Sequence, residues 1–169
     1  MKDSNYWIEK LGMIPHPEGG YYFSSFKSEQ TMFRHDIAGV ASSERKLWSS
    51  IYLLLTEEDY LAFHRVRSEE VWYFHHGSSV KIYMISPEGE LFIETLGLDI
   101  ASGEKLQVRI PKNYVMAAER VEDSYSIFGI MVSPGFDFDD IKLYDRDELI
   151  GLFPVHKELI ERLSMESFY

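Results

Sequence analysis

The stretch Phe63-His64-Arg65-Val66-Arg67-Ser68-Glu69-Glu70-Val71-Trp72-Tyr73-Phe74-His75-His76-Gly77 decides the fold of this chain. It reads as two short strands joined by a charged turn, with a glycine closing the second. Side chains alternate across a strand with a period of two. His64 and Val66 therefore share one face of the first strand, and Glu70, Trp72, Phe74 and His76 share one face of the second. If the turn folds the strands back as a hairpin, His64 and Glu70 face the same interior. A histidine and a carboxylate converging inside a β-structure point to a metal site or a proton-transfer pair.

Outward from this hairpin the chain keeps the same texture. Upstream, Leu47–Leu55 predicts a strand with Leu47, Ile51, Leu53 and Leu55 on one face. Trp48, Ser50, Tyr52 and Leu54 lie on the other, where mixed aromatic and hydroxyl groups suit a pocket wall or an exposed face. Residues 28–46 read as a polar surface loop with a short excursion at 31–37. Within it Arg34 and His35 are solvated, or reach a ligand. Ahead of this loop, Ile14-Pro15-His16-Pro17-Glu18-Gly19-Gly20 is a shaped turn, because its prolines fix φ and its glycines permit left-handed backbone. It opens a strand over 20–27, and His16 and Glu18 either touch a ligand or tie the loop down. Ser4 caps a helix over 4–11 that ends at Gly12.

Downstream, strands are predicted at 79–85, 91–96, 106–110, 114–118 and 124–132. Pro87-Glu88-Gly89, Pro111-Lys112-Asn113 and Pro134-Gly135 punctuate them. An acidic segment at 136–140 then leads to helical patterns over 146–152 and 155–163. Val155, Leu159, Ile160 and Leu163 form an apolar stripe on the second, to pack on the outside of the domain or against a partner subunit. Nine or so short strands with helices only at the ends indicate an all-β sandwich or barrel, closed as a jelly roll. One domain of 169 residues is expected, with a barrel core over 20–133.

Composition narrows the function. A formal charge of −11 argues against a nucleic-acid binder, which needs a basic surface, though a small basic pocket for an anionic ligand stays open. No apolar run approaches the roughly 20 residues of a membrane span. Cysteine is absent, which removes disulfides, thiolate ligands and a cysteine nucleophile. With an N-terminus lacking the pattern of a secretory signal, the expectation is a cytoplasmic protein.

The central stretch resembles the first cupin motif: His-x-His, three or four residues, Glu, six residues, Gly. His64, Glu70 and Gly77 occupy its first, third and fourth positions, and Val66 stands at the second. The run from Gly103 to Met116 resembles the second motif, with Pro111 matching, Asn113 replacing a glycine and Met116 replacing the histidine. More specific is an ordered series of segments. These are Pro15-His16-Pro17-Glu18-Gly19-Gly20-Tyr21-Tyr22, Ile51-Tyr52-Leu53-Leu54, His64-Arg65-Val66, Glu69-Glu70-Val71-Trp72, Leu96-Gly97-Leu98-Asp99 and Val132-Ser133-Pro134-Gly135-Phe136. Together they resemble one bacterial and fungal cupin family of unknown function over residues 10–143. The resemblance implies a double-stranded β-helix barrel and a homodimer. It also implies a likeness in fold to seed storage proteins and sugar-nucleotide epimerases, and it supplies no settled substrate.

In metal cupins three histidines and one glutamate hold a divalent ion. Valine and an ordinary thioether at Val66 and Met116 are not sound ligands for it. Only His64 and Glu70 remain, joined by His76 if its strand keeps a period of two; a bulge would be needed to bring in His75 as well. The expectation is therefore no cofactor, and a small organic ligand (a carbohydrate, nucleotide or nucleotide-sugar) in the barrel. Its expected contacts are His16, Glu18, Ser50, Tyr52, His64, Val66, Glu70, Trp72, Phe74 and Met116. Catalysis is the alternative: an epimerase or isomerase with His64 as acid/base, Glu70 orienting it and Tyr52 assisting. A storage-like protein with a filled barrel is the third reading.

Overall fold

Apolar alternation cut by glycine and proline turns divides the chain into short strands, and the computed structural model describes residues 3–35 and 43–165. In chain order the first strands are β1 (Ile14–Pro15), β2 (Tyr21–Lys27), β3 (Thr31–Phe33), β4 (Glu44–Lys46), β5 (Ser49–Leu55) and β6 (Leu61–Val66). There follow β7 (Glu69–Gly77), β8 (Val80–Ile85), β9 (Leu91–Leu96), β10 (Gln107–Ile110), β11 (Val115–Arg120), β12 (Ser126–Ser133) and β13 (Ile141–Leu143). Helix α1 (Ser4–Leu11) precedes them, and α2 (Arg146–Leu152) and α3 (Lys157–Leu163) follow.

A six-stranded sheet runs β1-β2-β5-β12-β7-β10, and a five-stranded sheet runs β13-β6-β11-β8-β9. Their inner faces close on one core that includes Leu53, Leu55, Trp72, Ile82, Met116 and Phe128. This is the all-β jelly-roll architecture expected from the strand pattern, with short helices at the chain ends.

The outer faces are covered differently. Helices α2 and α3 lay Leu149, Ile160 and Leu163 on Phe63, Tyr83, Ile85 and Val115 of the five-stranded sheet. Val155, expected in that apolar stripe, is instead 83% exposed, because residues 154–156 form a 3-10 turn before α3 begins. Helix α1 lays Trp7, Ile8 and Leu11 on Leu54 and Ile127 of the six-stranded sheet and on Tyr125 just before β12. Its cap is Asp3, whose carboxylate accepts the Tyr6 N–H at 2.9 Å, one residue earlier than the expected Ser4. Among the described residues no helix is long and apolar enough to cross a membrane.

The polar segment over 28–46 is not a plain surface loop. β3 and β4 pair as a hairpin, and positions 36 and 37 of the predicted excursion lie outside the described residues. Arg34 and Arg45 turn inward onto the buried Asp140. Arg45 donates to both carboxylate oxygens at 2.8 and 3.1 Å, and Arg34 stands 3.5 Å from Asp140 while donating to Ser68 Oγ and the Arg67 carbonyl. Opposite charges at this depth offset their lost hydration only through such directed bonds. The cluster fastens the hairpin, the β6–β7 turn and the approach to β13 together.

Two irregularities set which side chains face inward. On β6, Met116 of β11 stands opposite His64 while Ala118 stands opposite Leu61, so β6 carries an extra residue there. On β7, Phe128 of β12 stands opposite Phe74 while Ile127 stands opposite His76, so His75 is the extra residue.

The turn before β2 folds back on β6. A Cβ added to Gly19 (φ +124°) would lie 1.9 Å from the Tyr60 carbonyl oxygen, and one added to Gly20 (φ +73°) 2.3 Å from that of Leu54. Backbone passes too close for any side chain, and the left-handed φ reinforces the demand. Gly19→Ala is therefore expected to destabilise the fold by on the order of 2 kcal/mol or more, read as a lowered midpoint in urea unfolding with an unchanged slope.

Candidate functional site

Where the two inner faces part, at the end of the barrel nearest the 16–20 turn, a cavity opens. Its empty space is about 650 Å³, counting the solvent at its mouth. The walls are apolar: Ile51 and Leu53 from β5, Ile130 and Val132 from β12, Leu61 and Val66 from β6, and Trp72 from β7. Two imidazoles and two carboxyls line the same cavity, namely His16, His64, Glu18 and Glu70, with the ring of Tyr22 beside them.

Each is held by its own local structure. The Ala62 N–H donates to the Glu18 carbonyl at 2.9 Å, which seats the turn against β6. The Ala62 carbonyl lies 2.8 Å from His64 Nδ1. A carbonyl can only accept, so Nδ1 carries the proton and Nε2 is left without it in the neutral ring. Glu70 Oε2 accepts the Trp72 indole N–H at 2.7 Å, a bond between same-face neighbours two apart on β7. Trp72 is itself fixed by stacking on Phe128, with centroids 4.8 Å apart. His16 Nδ1 lies 3.0 Å from Glu18 Oε2, and Tyr22 meets the His16 ring edge to face. Glu18 is 3% exposed, and its Oε1 has no hydrogen-bond partner.

Burial shapes the electrostatics. Glu70 is pushed above the usual carboxylate range by desolvation, with His64 and the Trp72 N–H pulling it back and Glu18 adding to the rise. His16 is pushed below the ordinary imidazole value, again first by desolvation, with Glu18 opposing and His64 adding to the fall.

The sequence-derived candidates divide clearly. His16, Glu18, His64, Val66, Glu70 and Trp72 line the cavity. Met116 is 1% exposed in the core beneath, opposite His64, and does not line it. Phe74 packs against the core away from the cavity. Ser50 and Tyr52 do not reach it either. Tyr52 packs in the cluster under α1 and meets the His75 ring, so the inward face of β5 is that of Ser49, Ile51 and Leu53. An assisting role for Tyr52 beside His64 is thereby corrected. The bulge on β7 also removes His76 from the inner face; its Nδ1 bonds the Tyr125 hydroxyl at 2.8 Å and its ring stacks there. Glu70 does not orient His64 by a hydrogen bond: Ala62 sets that ring, and Glu70 answers to Trp72.

Sequence reasoning missed Ser49, Ile130, Val132, Phe136, Phe138 and Ile141. Phe136 and Phe138 stand at the exposed side of the cavity, on the segment that had read only as acidic. The Gly135 N–H to the Lys46 carbonyl and the Phe136 N–H to Ser49 Oγ hold that segment in place. No local pattern announces such tertiary anchoring.

Residues 5–144 match the family model described as Cupin superfamily (DUF985). The chain belongs to this cupin family. Protein SO0799 from Shewanella oneidensis is 42% identical, with a TM-score of 0.89 over 99% of this cupin and 100% of that chain. A hypothetical protein from Leishmania major is 26% identical, with a TM-score of 0.90 over 98% and 100%. The uncharacterised yeast protein YML079W, from Saccharomyces cerevisiae, is 25% identical over 144 residues, 79% of this cupin and 71% of that protein.

The four-ligand metal cage of cupins does not fit the donors present. Val66 and Met116 supply no nitrogen or oxygen at two of its positions, which leaves His64 Nε2 and Glu70 as the only donors of the four. Among the described residues no three or more His, Asp or Glu side chains are grouped as an ion would need.

Because folded Glu70 holds its proton more tightly than the unfolded chain does, its contribution to stability is full below the ordinary carboxylate value. That contribution is lost as pH rises through that value towards the raised one. Glu70→Gln keeps an oxygen for Trp72 and removes the charge. Melting temperatures of the variant should lose this decline across the mildly acidic window and stand above wild type at neutral pH.

Proposed function

We propose that the barrel cavity binds a small organic molecule whose body is apolar and whose polar groups gather at one end. The observation that carries this is the segregation of the walls. Hydrocarbon and indole line most of the cavity, and every ionisable group lies in one cluster that includes the partnerless Oε1 of Glu18. A buried carboxylate oxygen without a donor is costly, and a ligand hydroxyl or amine would satisfy it. A free sugar needs polar partners on all sides, so the walls favour a ligand with a hydrophobic ring or chain over an unmodified carbohydrate. His64 Nε2 offers such a ligand an acceptor when neutral and a donor when charged.

A thermal-shift and calorimetry screen of ring-bearing amines, alcohols, nucleosides and sugars tests the proposal. A ligand present at 100 times its Kd should add about 2.7 kcal/mol to stability. Val132→Phe, which fills the cavity, should abolish the shift, and Tyr52→Phe on the outer face should leave it unchanged. A screen with no hit, or a hit indifferent to Val132→Phe, would overturn the reading.

One feature favours a second reading, that of an acid/base enzyme of the epimerase or isomerase class. A histidine with one nitrogen fixed by backbone and the other open lines the same cavity as a carboxyl driven towards its neutral form, which offers one ligand a proton acceptor and a proton donor. Solvent deuterium entering a bound hit, and lost in His64→Ala, would establish it; binding without exchange leaves a binder. The homodimer implied by the resemblance belongs to the same proposal, and light scattering on the intact chain reads it directly.

A further inference from the structure

The strand that presents His64 and Val66 to the barrel presents Arg65 to the opposite side, and Arg67 follows in the turn after it. There a second hollow of about 1130 Å³, counting its open side, lies on the outer face of the five-stranded sheet. Arg65, Arg67, Lys112 and Asn113 line it together with Pro87, Val115, Tyr144, Leu152 and Phe153. No carboxylate is among them, in a chain of 28 acidic and 17 basic residues. Several other cations find acids: Lys105 meets Glu94 at 2.6 Å, Arg109 meets Glu69 at 2.5 Å and Lys142 meets Glu148 at 2.5 Å. Arg65, Arg67 and Lys112 make no ion pair and no side-chain hydrogen bond within the described residues, and the Nε of Arg65 is buried without an acceptor.

The placement is built rather than incidental. Lys112 sits on a turn whose next residue, Asn113, adopts φ +65° and donates its N–H to the Val66 carbonyl at 3.0 Å. That bond pins the lysine beside the two arginines. Like charges brought together without counter-charge repel, and guanidinium forks match tetrahedral oxyanions.

We propose that this hollow is a binding site for a phosphate-bearing small molecule with an apolar body. The two arginines and Lys112 hold the phosphate, whose charge of about −1.5 to −2 at neutral pH suits three cations better than a single carboxylate would. Pro87, Leu152 and the ring of Phe153 receive the body. The site is separate from the barrel cavity and stands or falls without it.

Titration calorimetry of the intact protein at low salt, with phenyl phosphate, inorganic phosphate and phenol, tests the assignment. Phenyl phosphate should bind more tightly than inorganic phosphate, phenol should not bind at this site, and added salt should weaken the interaction. Arg67→Gln and Lys112→Gln should each lower affinity roughly tenfold, as loss of a charge-assisted hydrogen bond does. Lys10→Gln, far away on α1, should change nothing. Lys112 is exposed on its turn, so its variant tests the site even if an arginine variant fails to fold. Amide chemical shifts should move around Arg65–Arg67 and Lys112–Val115. Absence of saturable phosphate binding, equal affinity in Lys112→Gln, tighter binding of a tetraglutamate peptide, or loss of binding only in His64→Ala would each overturn the proposal.

Discussion

The peptide at Ala62 is the constraint on which the candidate site depends. Its N–H holds the Glu18 carbonyl and its C=O holds His64 Nδ1, so one backbone unit fixes both the entry turn and the ring. The extra residue in β6 rotates this segment so that Leu61 and His64 both point inward while Phe63 turns out to meet the helices. A local defect in the ladder thus aims the chemistry, as bulges beside functional sites commonly do. The two glycines of the turn complete the arrangement by letting backbone approach backbone.

The cavity joins two kinds of wall that ordinarily exclude each other. Ile51, Leu53, Ile130 and Val132 would pack into a dry core if larger neighbours filled the gap, as Trp72, Met116 and Phe128 do deeper in the barrel. At the open end the ionisable cluster is instead held by fixed bonds to backbone and indole. These cost the fold some hydration energy and keep the groups oriented. The upward push on Glu70 and the downward push on His16 have this common origin: both favour the uncharged form in a place poor in water.

Much of the fold was legible because it rests on local signals. Alternation with Gly/Pro turns located most strands, and helices at the two ends followed from their apolar residues and, for α1, from the stop at Gly12, although its cap is Asp3 and Val155 falls outside the packed stripe. Period two put Glu70 and Trp72 on one face of β7, but His64 shares their interior without the expected hairpin: β6 and β7 do not pair and lie in the two facing sheets. The errors arose where tertiary context overrode a local rule. Ser50 and Tyr52 looked like a pocket wall because they mix hydroxyl and ring, yet that face lies with the cluster under α1. His76 kept its expected parity only until the bulge at His75, which no residue type in the sequence marks. Arg34, which reads as solvated or reaching a ligand, and Arg45, within what reads as a polar surface loop, find their buried acceptor at Asp140, distant in the chain. Phe136 and Phe138 sat in a run whose acidity masked its rings.

Those two phenylalanines frame the doorway of the barrel. They meet edge to face, with centroids 5.2 Å apart, on a loop whose peptide is tied to Lys46, to Ser49 and, through Asp140, to two arginines. Such a frame has little hinge to swing. The width of the doorway is then governed by rotation of aromatic rings, a motion of side chains on the fast timescale, and its threshold is one of molecular girth instead of backbone rearrangement.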